Sequence, residues 1–461
     1  MNITPKFDFN NDLIRLAELF RESGATLFVV GGHVRNTILG KRISDTDITS
    51  RLRPDEVLEL CERAGFKTVP KGIAFGMVEI HIGDGAYEHT TFRSDTYSEG
   101  GAHRPVGIAF AESLEEDAFR RDFTVNSIYA DVLTGRIHDP TGGLADIERR
   151  LMRTTSKDPE DILRDDGLRI MRLCRFAAEL GFDIEEKTLA AAKKCAPLLA
   201  DISSERVRDE LKKILMADVK YGVPALDSVL RGLKLLDAVG VIDVCLPELA
   251  RCRSVEQNPK FHRYNVLEHM FYTAAMSKPD ITLRAACLFH DVAKPVRLEL
   301  QGNMHGHDVE SELIARETLK RLRFDNSTVE EAAWLVRHHM FDLDGRAKEK
   351  TLKRRFGRWG VERTKALCDI READFRGSVG EYIEVKSAVR WRHVLDDMIK
   401  NNTPFSPSEL ACTGADIINW LGIPPSPRVG EIKSALLEHC AVHPKDNTPE
   451  RLMRIARDIA R

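Results

Sequence analysis

Apolar positions follow two different rhythms along this chain. Up to about residue 150 they come in short runs closed by turn residues. Leu27-Phe28-Val29-Val30 ends in Gly31-Gly32, as a buried strand entering a tight turn does. Residues 33–39 then read as a short helix closed by Gly40. Residues 43–49 alternate like a strand, and residues 77–82 and 86–92 flank Gly83-Asp84-Gly85, which predicts a hairpin. Residues 93–107 are polar and glycine-rich and read as a mobile loop. From Pro159 the rhythm changes to a helical period over 161–180, 187–199 and 204–216, with Gly181, Ser203 and Ser204 as stops and caps. Helical patterning continues to the C-terminal end, interrupted at Pro404 and Pro407 and again at Ile423-Pro424-Pro425-Ser426-Pro427. The fold class expected is α+β: a small α/β head over 1–150, then an all-α neck (151–220), body (221–345) and tail (346–461).

Composition narrows this without redirecting it. A length of 461 residues suits two to four domains, and 43% hydrophobic with 31% charged residues is ordinary for a soluble globular chain. Apolar runs fall far short of the ~20 residues that span a bilayer, so no membrane partner is expected. The N-terminus lacks a basic start followed by an apolar core, the mark of a secretory signal. Nine scattered cysteines without a C-x-x-C pair read as reduced thiols in a cytoplasm. With 69 Lys+Arg against 72 Asp+Glu, any phosphate-binding surface must be local.

The head carries the first chemistry. Gly31-Gly32-His33-Val34-Arg35 places a close-approach turn at a helix start, where free N–H groups can hold a triphosphate and Arg35 can add a charge. Asp45 and Asp47, two apart on a predicted strand, leave on one face. A pair of carboxylates so placed is what two Mg²⁺ ions need to activate a hydroxyl and neutralise a leaving pyrophosphate. Glu88 on the later hairpin is the candidate third carboxylate. Either motif alone is more often structural; the unit strand–Gly-Gly–helix–strand–Asp-x-Asp is far more specific.

This stretch resembles the N-terminal signature of class II tRNA nucleotidyltransferases and bacterial poly(A) polymerases, in the DNA polymerase β superfamily. The resemblance implies a polymerase-β-like head and an elongated helical remainder. Asn36 stands where the family has Asp, a residue expected to support Arg35, so tuning rather than loss is expected. Glu115 to Asn126 resembles the family's R-R-D-F-T-x-N element, which assigns a nucleotide contact to Arg121; the plain alternative is a surface ion pair among Arg120, Arg121 and Asp122.

Asp166, Arg169, Arg172 and Arg175 recur every three residues in an otherwise apolar segment. Buried arginines need acceptors, which a nucleotide in a cleft or protein carboxylates can supply. A carboxylate accepts and a guanidinium donates, so an Asp166/Arg169 pair could match the amino donor and ring-nitrogen acceptor shared by cytosine and adenine and reject uracil and guanine. The family resemblance assigns base selection to Asp166 and Arg169 and nucleotide binding to Arg172 and Arg175. The loop after Phe92 resembles that of full CCA-adding enzymes, with His103 where the family has Arg.

The body holds His269, His290-Asp291, His305, His307, His338, His339 and Asp342. Their order resembles the HD phosphohydrolase superfamily, with Leu288 to Pro295 matching its central motif. The resemblance implies an HD domain over about 256–345, a transition metal such as Ni²⁺ or Mn²⁺ on His269, His290, Asp291, His307 and His338, and a phosphodiesterase or phosphatase activity. Residues 346–365 carry nine Lys/Arg against two Asp/Glu, with Phe356 and Trp359 interleaved, which suits an RNA backbone with stacking; a solvated helix face is the plain alternative. Gly414 to Gly430 resembles the family's tail module for the tRNA elbow.

The function expected is template-independent addition of C, C and A from CTP and ATP to the tRNA 3′ end, with Mg²⁺. Its neighbours are poly(A) addition or partial CC- or A-addition. From other classes come an RNA-binding protein with an inactive head, and a metal-dependent phosphohydrolase whose head only binds RNA. No DNA partner is expected.

Overall fold

The computed structural model describes residues 7–96, 107–260 and 262–461. The chain forms two compact units, residues 1–247 and 248–461.

The first unit is built on a mixed sheet. Its strands are β1 (Phe28–Val30), β2 (Asp47–Ser50), β3 (Lys67–Pro70), β4 (Met77–Ile82) and β5 (Gly85–Thr91), with β6 (Arg93–Thr96) and β7 (Gly107–Phe110) as a separate ladder, then β8 (Tyr129–Asp131) and β9 (Ile137–His138). The seven-stranded sheet among the described residues runs β3-β4-β5-β2-β1-β8-β9. Strand β1 is antiparallel to both neighbours and wholly buried, as its unbroken apolar run requires. Strand β4 alternates, burying Val78, Ile80 and Ile82. The helix Asn11–Glu22, capped by Asn10, lays Leu13, Leu16 and Phe20 into the core.

Three expectations shift. The strand expected over 43–49 begins only at Asp47, so Asp45 lies in the approach to it. The segment expected as a loop over 93–107 opens and closes in the β6–β7 ladder; residues 97–106, His103 included, lie outside the described residues. The single helix expected over 161–180 is two, Pro159–Asp165 and Leu168–Leu180. Between them Asp166 is extended, and its carboxylate accepts the Leu168 N–H at 3.1 Å, a local bond that competes with the helix. Helix Glu186–Cys195 gives way to a tighter turn at Ala196–Asp201, where Pro197 stands, and helix Ser204–Leu215 follows.

The second unit is helical among its described residues. Val266–Met276, Ile281–Phe289, His307–Arg321, Asn326–His338 and Val361–Val379 surround the histidines. Helices Val266–Met276 and Val361–Val379 cross closely: a Cβ at Gly377 would lie 2.3 Å from Thr273 Oγ1, so only glycine fits. Helices Gly414–Leu421, Pro427–Val442 and Pro449–Ala460 bury a cluster of their own, with Ile417, Leu436, Cys440 and Leu452 at its centre. Phe356 is fully buried, so it packs the core instead of standing among the basic residues to stack on RNA; Trp359 is half-buried, edge-on to Trp334, His338 and Phe341.

Candidate functional site

A cavity of about 740 Å³ opens in the first unit. Gly32, Arg35, Asp45, Asp47, Arg121, Asp166, Arg169, Arg172 and Arg175 all line it, so residues scattered over more than a hundred positions share one wall. Glu88 is not in that lining, but it stands directly opposite Asp47 in the parallel β2–β5 ladder, which puts both side chains on one face.

The acidic end is short of compensation. The protein around Asp47 desolvates its carboxylate and pushes the pKa up; Arg121 opposes this and Asp45 adds to it. Glu88 is pushed up as well, by burial and then by Asp47. Ser44 Oγ donates to Asp45 at 3.0 Å. Carboxylates crowded in this way fit a divalent cation, whose charge removes the repulsion. Gly31, at φ +76°, turns the backbone beside them; a Cβ there would be 3.9 Å from Asp47 Oδ2.

Arg35 is buried and gripped by neutral groups. Its Nε and Nη2 donate to Asn36 Oδ1 at 3.2 and 3.0 Å, its Nη1 to Asn126, and Nη2 also to the Tyr221 hydroxyl at 3.1 Å. Asn36 Nδ2 donates to that same hydroxyl at 3.1 Å. A neutral amide beside Arg35 positions the guanidinium without cancelling its charge, which leaves the charge for a phosphate.

The R-R-D element is a buried joint, not a surface pair. Asp117 lies at its centre, taking Arg120 at 2.6 Å, Arg121 at 2.9 Å and the Tyr129 hydroxyl at 2.7 Å. Burial alone would raise its carboxyl, but the two arginines outweigh that and hold it at about 2. Asp122, also held at about 2, accepts two bonds from Arg172 at 2.8 and 2.6 Å, which ties the element to helix Leu168–Leu180.

The arginine stripe has protein acceptors. Arg169 donates to the carbonyls of Ile162 and Arg120 at 2.9 and 3.0 Å and sits 3.5 Å from Asp165. Arg175 is held by Glu210 at 2.6 Å and Glu179 at 3.1 Å. Asp166 is bonded by Arg206 at 2.6 Å, not by Arg169. A guanidinium has five N–H donors and a carboxylate about four lone-pair sites, so these bonds do not exhaust Asp166 or Arg169. Arg206 and Tyr221, both on the cavity wall, are additions that no motif announced.

In the second unit His269, His290, Asp291 and His307 converge. His338 does not join them: its Nδ1 faces the Trp334 carbonyl at 2.8 Å and its ring stacks on Trp334, with centroids 4.2 Å apart. The neighbouring His339 takes the inward place, its Nε2 3.2 Å from that of His307. Asp374, beyond the expected end of the HD segment, completes the group, its Oδ1 3.1 Å from His269 Nε2. Burial would raise Asp291 and Asp374, but the imidazoles beside both, and Lys294 beside Asp291, hold them well below the usual carboxylate range. Imidazole nitrogens with carboxylate oxygens are a donor set that suits a first-row divalent metal.

Comparison with known proteins agrees with this geometry. The Poly A polymerase head domain model matches residues 27–153, the "Probable RNA and SrmB- binding site of polymerase A" model matches 181–252, and the HD domain model matches 262–375, which takes in Asp374. The CCA-adding enzyme of Geobacillus stearothermophilus is 31% identical over 442 residues, 96% of this chain and 95% of that one. That of Geobacillus kaustophilus is 32% identical over 94% of this chain and 93% of its own. The match to the Streptococcus gordonii CCA-adding enzyme, 38% identical, spans 53% of this chain and 57% of the relative's length. Among solved structures, the Bacillus stearothermophilus CCA-adding enzyme in complex with CTP superposes with a TM-score of 0.71 at 28% identity, over 97% of both chains. The Thermotoga maritima CCA-adding enzyme complexed with tRNA shares the fold, with a TM-score of 0.60 at 17% identity over 98% and 96%. No helix among the described residues is long and apolar enough to cross a membrane. The chain belongs to the CCA-adding enzyme family of nucleotidyltransferases.

Proposed function

We propose that this chain adds C, C and A, from CTP and ATP, to the 3′ end of tRNA. The observation that carries the reading is one cavity lined both by Asp45 and Asp47 and by Asp166, Arg169 and Arg172. Asp45 and Asp47, with Glu88 beside Asp47, would hold Mg²⁺. When bound, a pair of such ions supplies activation of the 3′-hydroxyl and neutralisation of the departing pyrophosphate. Gly31 and Gly32 let the triphosphate lie against the backbone, and Arg35 and Arg121 meet its charge. Asp166 accepts from the exocyclic amine of cytosine or adenine while Arg169 donates to the ring nitrogen beside it. Uracil and guanine present the opposite polarity and leave a polar group unpaired, at roughly 1–3 kcal/mol. Arg172 and Arg175 fix the nucleotide, Arg172 from its anchor on Asp122. The basic helix Glu349–Trp359 and the tail helices are assigned to the RNA backbone and elbow. Nine cysteines, all free and buried, support a reducing cytoplasmic setting.

The test is incubation of the purified protein with tRNA lacking CCA, in CTP and ATP. Complete CCA ends are expected; tails that stop at CC, or run to many A residues, would replace the reading with partial or poly(A) addition. A second activity is proposed for the buried histidine–aspartate group: phosphohydrolysis of phosphate esters with Ni²⁺ or Mn²⁺. Metal-dependent release of phosphate should survive Asp45→Ala and disappear in His290→Ala.

A further inference from the structure

We infer that the histidine–aspartate group is built for two metal ions bridged by Asp291, not for one. This rests on the metal reading above and extends it.

The two oxygens of Asp291 face different sets of donors. Oδ2 is 3.4 Å from His269 Nε2 and 3.3 Å from His290 Nε2; those nitrogens are 3.1 Å apart, and Asp374 Oδ1 lies 3.1 and 3.5 Å from them. Oδ1 is 2.9 Å from His307 Nε2 and 3.6 Å from His339 Nε2, and those nitrogens are 3.2 Å apart. Separations near 3.0–3.5 Å are the edges of a tetrahedron or octahedron whose metal–ligand bonds are about 2.0–2.2 Å. The two sets together offer more donor atoms than the roughly four to six positions of a first-row ion. Shared between two ions, they give each an ordinary shell, with room left for water or a phosphate oxygen.

A second observation comes from the far side of the rings. Nδ1 of His290, His307 and His339 lies 2.8, 2.8 and 2.6 Å from the carbonyls of Cys287, Met304 and Val336. A carbonyl only accepts, so each Nδ1 carries the hydrogen, and in the neutral ring Nε2 presents a lone pair. His307 and His339, both buried, then point lone pairs at each other across 3.2 Å. A cation between them removes that conflict. Imidazoles pinned by backbone carbonyls are also the usual support of metal-bound histidine. Lys294 Nζ, 2.5 Å from Asp291 Oδ2, occupies a lone pair on one side of the bridge.

The test uses the full chain carrying Asp45→Ala and Asp47→Ala, so that the head adds no metal. It is stripped with chelator, reloaded with Mn²⁺ and desalted. Two Mn²⁺ per chain are expected, with the broadened paramagnetic resonance spectrum of coupled ions. Adding His307→Ala should lower the content from two to one and bring up the six-line spectrum of an isolated ion. One Mn²⁺ in the parent, with the six-line spectrum, overturns the pair and leaves a single-metal centre standing. No retained Mn²⁺ overturns both, protons then holding the imidazoles together. Should His307→Ala not fold, stoichiometry and spectrum of the parent decide alone.

Discussion

The head cavity and the histidine–aspartate group handle their polar atoms in opposite ways. In the cavity, arginines and acids are tied to complementary protein groups: Arg172 to Asp122, Arg175 to Glu210, Asp166 to Arg206. In the buried group, like faces like: His269 against His290 and His307 against His339, Nε2 to Nε2. A site that takes and releases substrate must keep its polar groups satisfied between turnovers, because an unpaired buried group costs roughly 1–3 kcal/mol. A site for a resident ion can leave the conflict to the ion, since metal binding and folding are coupled.

The predictions probe this contrast, the largest effect first. Asp45→Ala should lower CTP and ATP incorporation by on the order of 10³-fold or more, with tRNA binding unchanged in a filter assay; retained incorporation would remove the cavity from the chemistry. Asp117→Ala leaves Arg120 and Arg121 without their shared partner and should cost about 3–5 kcal/mol in urea unfolding, far more than an exposed pair would. Acid should act through the same joints. The carboxyls of Asp117 and Asp122 sit at about 2 in the fold, below the ordinary 3.8. Groups depressed in this way stabilise above their unfolded pKa, and the contribution fades as pH falls toward the folded one. Stability should therefore drop by about 2 kcal/mol per group between roughly pH 4 and 2, as followed by circular dichroism. Tyr221→Phe removes the hydroxyl shared by Arg35 and Asn36 and should cost about 1 kcal/mol, read as a several-fold fall in incorporation. His338→Ala should leave the metal content unchanged, because its ring lies on Trp334, outside the group.

The same contrast explains what could be read in the sequence. Cavity residues sit in contiguous motifs, because a tight turn, a strand pair two residues apart and one helix face are local objects: Gly32, Arg35, Asp45, Asp47 and the run from Asp166 to Arg175 needed no distant partner to stand out. The break between Asp165 and Leu168 did not, since the helical period runs straight through it and the competing bond belongs to one side chain. Tyr221 and Arg206 reach the cavity through helix packing alone. In the metal group the choice between adjacent histidines was legible in principle. Ala332, Leu335 and Val336 mark the inner face of that helix, and one more turn of the same face arrives at 339, not 338. Asp374 carried no such mark, because only the packing of Val361–Val379 on Val266–Met276 brings it to His269. Phe356 misled for a related reason: a basic run says how a helix surface is charged, not which of its aromatics turn inward.

The missing side chain at Gly377 acts as a clearance between two helices, one bearing His269 and the other Asp374. Anything bulkier there would work as a shim, prying the acid off the imidazole from three residues away. Metal affinity in this half of the molecule is thus set partly by an atom the chain does not have, and Gly377→Ala should loosen the ion without touching a ligand.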